Sequence, residues 1–116
     1  MTSNYTNKYG TITINDSVIA NIASEAAMSS YGIVGLAYRN ATDGLMTLLK
    51  KENMSKGVRI ESNPDGITIH LDVVLEYGIR IGTVTENIID TVKYKVENIT
   101  GVTVKHINIY VQGIRI

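Results

Sequence analysis

The side chains best suited to chemistry in this chain are two imidazoles, His70 and His106, with carboxylates placed beside the first. In "ITIHLDVVLEYG", residues 67–78, His70, Asp72 and Glu76 fall at even positions. Even spacing puts all three on one face of a strand. An imidazole titrates near neutral pH, so it can act as a general base, and alternating carboxylates beside it can chelate a metal. Each of these chemistries needs more. A hydrolytic triad requires a nucleophile, a base within reach and an orienting acid, and no serine here stands in a G-x-S-x-G elbow. A structural zinc site requires four ligands at characteristic spacings, and the chain has no cysteine. Both histidines sit in strand-like runs rather than in the glycine-rich loops that display reactive groups. Thr68, His70, Asp72 and Glu76 therefore read as the solvated face of a strand buried on its other side. No catalytic residue, metal ligand or cofactor is expected.

The hydrophobic pattern says which elements position these residues. "YGTITI", residues 9–14, alternates as a short strand. Asn15, Asp16 and Ser17 offer helix-capping side chains, and Val18, Ile19, Ile22, Ala23 and Ala26 then recur at helical spacing to about Ser30. "YGIVGLAYR" reads as a turn into an extended segment. Residues 40–56 are the variable part, where Leu45, Met46, Leu48 and Leu49 suggest a short amphipathic helix weakened by Gly44. Val58 and Ile60 begin a strand, "NPDG" at 63–66 is a turn, and Ile67, Ile69, Leu71, Val73 and Leu75 make the buried face of the second arm of a hairpin. Val74 falls on the opposite, exposed side. Thr83 and Glu86 match a capping box. Val84, Ile88, Val92, Val96 and Ile99 form a helical stripe that ends at Gly101. In the last strand, from Val102 to about Gln112, the apolar phase changes between Val104 and Ile107, which predicts a bulge near Lys105 and His106. A faint echo relates "SYGIVGLAY" to "ITGVTVKHI" at an offset of 69 residues. The pattern predicts an α+β two-layer sandwich, a small mixed or antiparallel sheet with two main helices on one face.

Composition narrows the function classes. The chain has 116 residues, 44% hydrophobic and 19% charged, which suits one soluble domain spanning 1–116, with residues 1–8 flexible. No apolar run is long enough to span a membrane, and the polar amino terminus lacks a signal-peptide core. The absence of cysteine agrees with a cytoplasmic location. Eleven basic residues balance eleven acidic ones, so no global pull on nucleic acid is expected. Lys50, Lys51 and Lys56 read as a solvated helix end. Gly32 and Gly35 have the G-x-x-G spacing of an RNA-clamping KH loop, but Ile33 and Val34 between them prefer burial. Tyr31, Tyr38, Tyr77, Tyr94 and Tyr110, with Val74 and Ile114, lean towards self-association or partner binding.

The segment "EYGIRIGTVTENIIDTVKYKVENITGVTVKHINIYVQGI" resembles the alkaline-shock and general-stress family of Gram-positive envelope stress-response proteins. The matching positions are Tyr77, Gly78, Ile81, Thr100, Gly101, Val104, Ile107, Asn108, Ile109 and Val111. "GTITINDSVIANIASEAAMSSYGIVGLA" is similar to the family's amino-terminal strand and helix, and "KGVRIE" to the segment before the hairpin. Gly82 departs from the pattern, where the family often carries proline. The resemblance implies a non-enzymatic cytoplasmic module for envelope homeostasis, with no cofactor, a homo-oligomer or one recruited to the inner face of the membrane by an anchor protein. It implies as an alternative a regulator docked on a lipid-synthesis enzyme, acetyl-CoA carboxylase or a fatty-acid kinase.

Overall fold

The computed structural model describes residues 2–7, 10–39, 46–48 and 56–115, with side chains described for 14–37 and 56–115. The elements run β1 (Thr2–Asn7), β2 (Gly10–Asn15), α1 (Asp16–Met28), β3 (Ile33–Arg39), β4 (Met46–Leu48), β5 (Val58–Asn63), β6 (Gly66–Glu76), α2 (Ile81–Thr100) and β7 (Val104–Arg115). The fold is α+β, as the pattern predicts.

β6 organises the sheet. β7 pairs with it in parallel along 67–76, occupying one whole edge. β5 pairs antiparallel with residues 66–71 and β3 antiparallel with 73–75. A strand has two edges, so β5 and β3 must share the second one end to end. The odd residues of β6 behave as their alternation requires: Ile67, Ile69, Leu71, Val73 and Leu75 are all buried. They form one core with Ile19, Ala23 and Ala27 of α1 and Val84, Ile88, Val92 and Val96 of α2. Fully burying a side chain of this kind contributes about 1.5–3 kcal/mol, so the helix layer is held on this face of the sheet.

Local signals hold at most element ends. Asn15 caps α1, its Oδ1 accepting the Ser17 N–H at 2.8 Å. Asn15→Ala is expected to cost about 1 kcal/mol, lowering the melting temperature by roughly 4 °C in a thermal scan, with Asn15→Asp close to wild type. Gly101 closes α2 in the left-handed conformation, φ 74°, its N–H donating to the Glu97 carbonyl. The bulge in the last strand is present. Ile67 faces Val104 while Thr68 faces His106, which leaves Lys105 as the extra residue. A second shift leaves Gln112 unpaired between Val111 and Gly113.

Five expectations change. Thr2–Asn7, expected to be flexible, forms a strand antiparallel to β2. Met46–Leu48 is a strand paired with β3, not part of a helix, and the rest of that expected helix lies outside the described residues, as do Lys50 and Lys51. Backbone pairing with β3 outweighs a helical propensity already weakened by Gly44. The capping box does not form. α2 starts at Ile81, its N-cap Arg80 makes no side-chain cap bond, and the nearby Thr85 hydroxyl donates back to the Ile81 carbonyl. Ile99 is 64% exposed; it shares the azimuth of the buried stripe, but it sits in the last turn of the helix. Val74 is 2% exposed although it falls outside the main core cluster, so the expected exposed position is buried.

Candidate functional site

The helices cover one face of the sheet, so the other face and the strand edges are where a partner or substrate can reach. Cross-strand register places the polar residues of that outer face. His70 lies between Arg59 of β5 and Asn108 of β7. Thr68 lies between Glu61 and His106, and Asp72 lies opposite Tyr110. All these positions fall on one side, because directly paired residues share a face.

The outer face is a network, not a row of separately solvated groups. The His70 Nδ1 is 3.1 Å from the Tyr110 hydroxyl and 3.5 Å from the Asn108 amide. Its Nε2 approaches a Glu61 carboxylate oxygen at 3.2 Å, but the approach is poorly aligned and Nε2 has no hydrogen bond of good geometry among the described residues. The Tyr110 ring stacks on the imidazole at 5.9 Å, and the Arg59 guanidinium sits 5.3 Å from its centroid. Asp72 accepts from the Gln112 amide at 2.8 Å and from Arg59 at 3.5 Å. These contacts leave the His70 and Asp72 side chains only 12% and 13% exposed. Thr68 is buried as well, so of the expected solvated face only Glu76 is exposed. The alternation of β6 reads correctly, but long side chains from β5 and β7 cover the polar row.

Glu61, His70 and Tyr110 make a carboxylate–imidazole–phenol line. A reaction would also need a site beside them that orients substrate and excludes water, and Glu61 is 63% exposed on the open face. Both Asp72 oxygens and the His70 Nδ1 are engaged within the sheet. His106 follows the bulge residue, faces Thr68 and is exposed. Among the described residues no three His, Cys, Asp or Glu side chains are grouped to hold a metal ion. The G-x-x-G segment is not a loop. Ile33 pairs with Leu75 and packs against the core, and Gly35 pairs with Val74, so it displays no phosphate clamp.

The motif residues shape two corners and one strand. Tyr77 and Gly78 follow β6, and the Tyr77 N–H donates to the Arg115 carbonyl at 2.7 Å. Ile81 opens α2 and is 45% exposed. The Thr100 hydroxyl donates to the Val96 carbonyl and accepts the Val102 N–H beside Gly101. Val104 is in the core, Ile107 and Ile109 pack against it half-buried, and Asn108 faces outward. Val111 is 38% exposed. Sequence reasoning does not single out Arg59, Glu61, Tyr110 and Gln112 for this network. The alternation of "VRIES" signals that Arg59 and Glu61 share a face, but nothing local signals that β7 lies beside β6.

The open element is β7. Among the described residues it pairs with β6 alone, leaving a 12-residue edge that carries Tyr110, Val111 and Ile114 at 41%, 38% and 44% exposure. β5 is an edge too, but it is six residues long and carries Arg59 and Glu61. Charge and shortness are how proteins keep an edge from pairing. Between its two bulges β7 reads His106, Ile107, Asn108, Ile109, Tyr110 and Val111, with no Lys, Arg, Asp, Glu or Pro.

The family model of alkaline-shock protein 23, described as having a "cell envelope-related function", matches residues 4–116. The protein YloU of Bacillus subtilis is 44% identical over 110 residues, covering 94% of this chain and 92% of YloU. Spy1614 of Streptococcus pyogenes is 38% identical over 117 residues, covering 100% of this chain and 97% of Spy1614. A Streptococcus pyogenes stress response regulator, a gls24 homolog, is 28% identical over 109 residues, covering 91% of this chain and 59% of that protein. No solved structure matches.

Proposed function

The chain belongs to the alkaline-shock protein family and has an envelope stress-related function; from that premise we propose that it acts without catalysis, as an assembly and docking module built on β7 and the adjoining outer face. The observation that carries this reading is the uncharged run 106–111 on an open edge, beside a face whose polar groups are tied to one another. Backbone groups on such an edge recruit a strand, and the side chains beside it select which one. Among the described residues no helix is long and apolar enough to cross a membrane. Recruitment to the inner face of the membrane by an anchor protein belongs to the same docking reading.

The test is complementation of a null strain under cell-wall stress. Val111→Lys combined with Ile114→Lys changes two exposed positions, so the purified variant should keep its circular dichroism spectrum and melt within a few degrees of wild type. It is expected to leave the strain as sensitive as the null. Lys93→Ala, an exposed change on α2 away from β7, is expected to restore survival. Full rescue by the lysine pair, or failure of the well-folded Lys93→Ala variant, would overturn the reading. Docking on a lipid-synthesis enzyme uses the same strand. It is distinguished by adding the chain to purified acetyl-CoA carboxylase or fatty-acid kinase and following the rate.

A further inference from the structure

We infer that β7 pairs with β7 of a second copy of this chain, antiparallel, across a two-fold axis passing beside Asn108. This rests on the docking reading above and names its first occupant. The argument is one of register. Antiparallel partners that lie directly opposite share a face, so a symmetric pairing must match outer-face residues with outer-face residues. Ile107, Ile109 and Val111 align with the core-facing residues of β6, while His106, Asn108 and Tyr110 align with Thr68, His70 and Asp72.

With Asn108 on the axis, Ile107 meets Ile109 of the copy and His106 meets Tyr110. Asn108 meets itself and Lys105 meets Val111. The half-buried Ile107 and Ile109 lose their exposure to the open side. Neither Lys105 nor Arg115, the fixed cations of this strand, faces a cation. A register centred on Tyr110 would instead set Lys105 against Arg115, and like charges directly opposite are destabilising. The pairs formed by residues 106–110 lie wholly within the uncharged run between the two bulges. A C2 interface of this kind is self-complementary, as closed dimers require. It would join two outer faces into one surface carrying two copies of the Arg59–Tyr110–His70 stack.

The chain lacks cysteine, so one introduced thiol reports on one position. Asn108→Cys places two thiols directly opposite, at a Cα separation of about 4.5–5.5 Å, within disulfide range. Lys105→Cys places its pair six positions apart, about 20 Å, and Lys93→Cys sits on the helix layer. Mild oxidation of the full-length variants is expected to give at least tenfold more dimer for Asn108→Cys than for either control. Light scattering of wild type should approach twice 12.7 kDa as concentration rises. Asn108→Lys and Asn108→Asp should each stay monomeric alone and form a mixed dimer together, since the axis sets like charge on like in each and opposite charges in the mixture.

A wild type that stays monomeric at several hundred micromolar, or equal crosslinking at residues 105 and 108, overturns the pairing. If the chain is monomeric but Val111→Lys with Ile114→Lys still fails to complement, the docking reading stands and self-pairing falls. If the dimer forms as described but those lysines rescue fully, the docking reading falls and the pairing stands.

Discussion

Leu71→Ala is expected to remove about 3–5 kcal/mol of stability, the upper part of the range for truncating a buried leucine. Leu71 is fully buried at the middle of β6. It is paired with Val58 on one side and Ile109 on the other, and both helices close over this face of the sheet. The void is therefore bounded by paired backbone on both flanks, which limits collapse into it. A domain of this size is stable by about 5–15 kcal/mol in total, so this single change consumes a large share. Urea unfolding followed by circular dichroism should show the midpoint falling by more than about 1 M with the slope unchanged. A loss below about 1 kcal/mol would show that Leu71 does not occupy the centre of the core.

Gly66→Ala is expected to destabilise by roughly 2–4 kcal/mol, combining backbone strain with overpacking. Gly66 ends the "NPDG" turn with φ +149°, and a Cβ there would stand 2.6 Å from the Thr103 carbonyl oxygen. That oxygen cannot easily withdraw, because it accepts the Ile67 N–H at 2.9 Å and so ties the start of β6 to the approach of β7. The clash is with backbone, and relieving it opens the parallel pair that carries the proposed docking edge. The same urea titration measures the loss. A variant within about 0.5 kcal/mol of wild type would mean that the turn and β7 can separate without cost, against the close approach seen here.

The candidate site was only partly legible in the sequence. The alternation of Ile67 to Leu75 marks which side of β6 is buried, and it also marks Thr68, His70 and Asp72 as a polar row. It cannot show that Arg59, Tyr110 and Gln112 reach across to cover that row, because cross-strand neighbours depend on register between distant segments. Val74 shows the same limit. Its position in the pattern says outward and exposed, yet it is buried in the assembled sheet. The phase change after Val104 signals the bulge without any structure, because a bulge shifts the strand's own two-residue period. The echo between Gly32 and Gly101 holds as helix, positive-φ glycine, then strand. The two strands nonetheless run in opposite directions beside β6.

By itself the sequence determined the features that local periodicity and turn chemistry dictate: two helices with one apolar face each, the hairpin at Pro64, the glycine that ends α2, and family membership through a distributed motif. Tertiary structure alone decided that β7 lies parallel to β6 at the rim of the sheet, with its uncharged run on the open edge. The physical reason is that a strand's side-chain alternation reports its two faces, while its hydrogen-bonding edges look alike in every residue's backbone. Which edge stays open is settled only when the whole sheet has assembled.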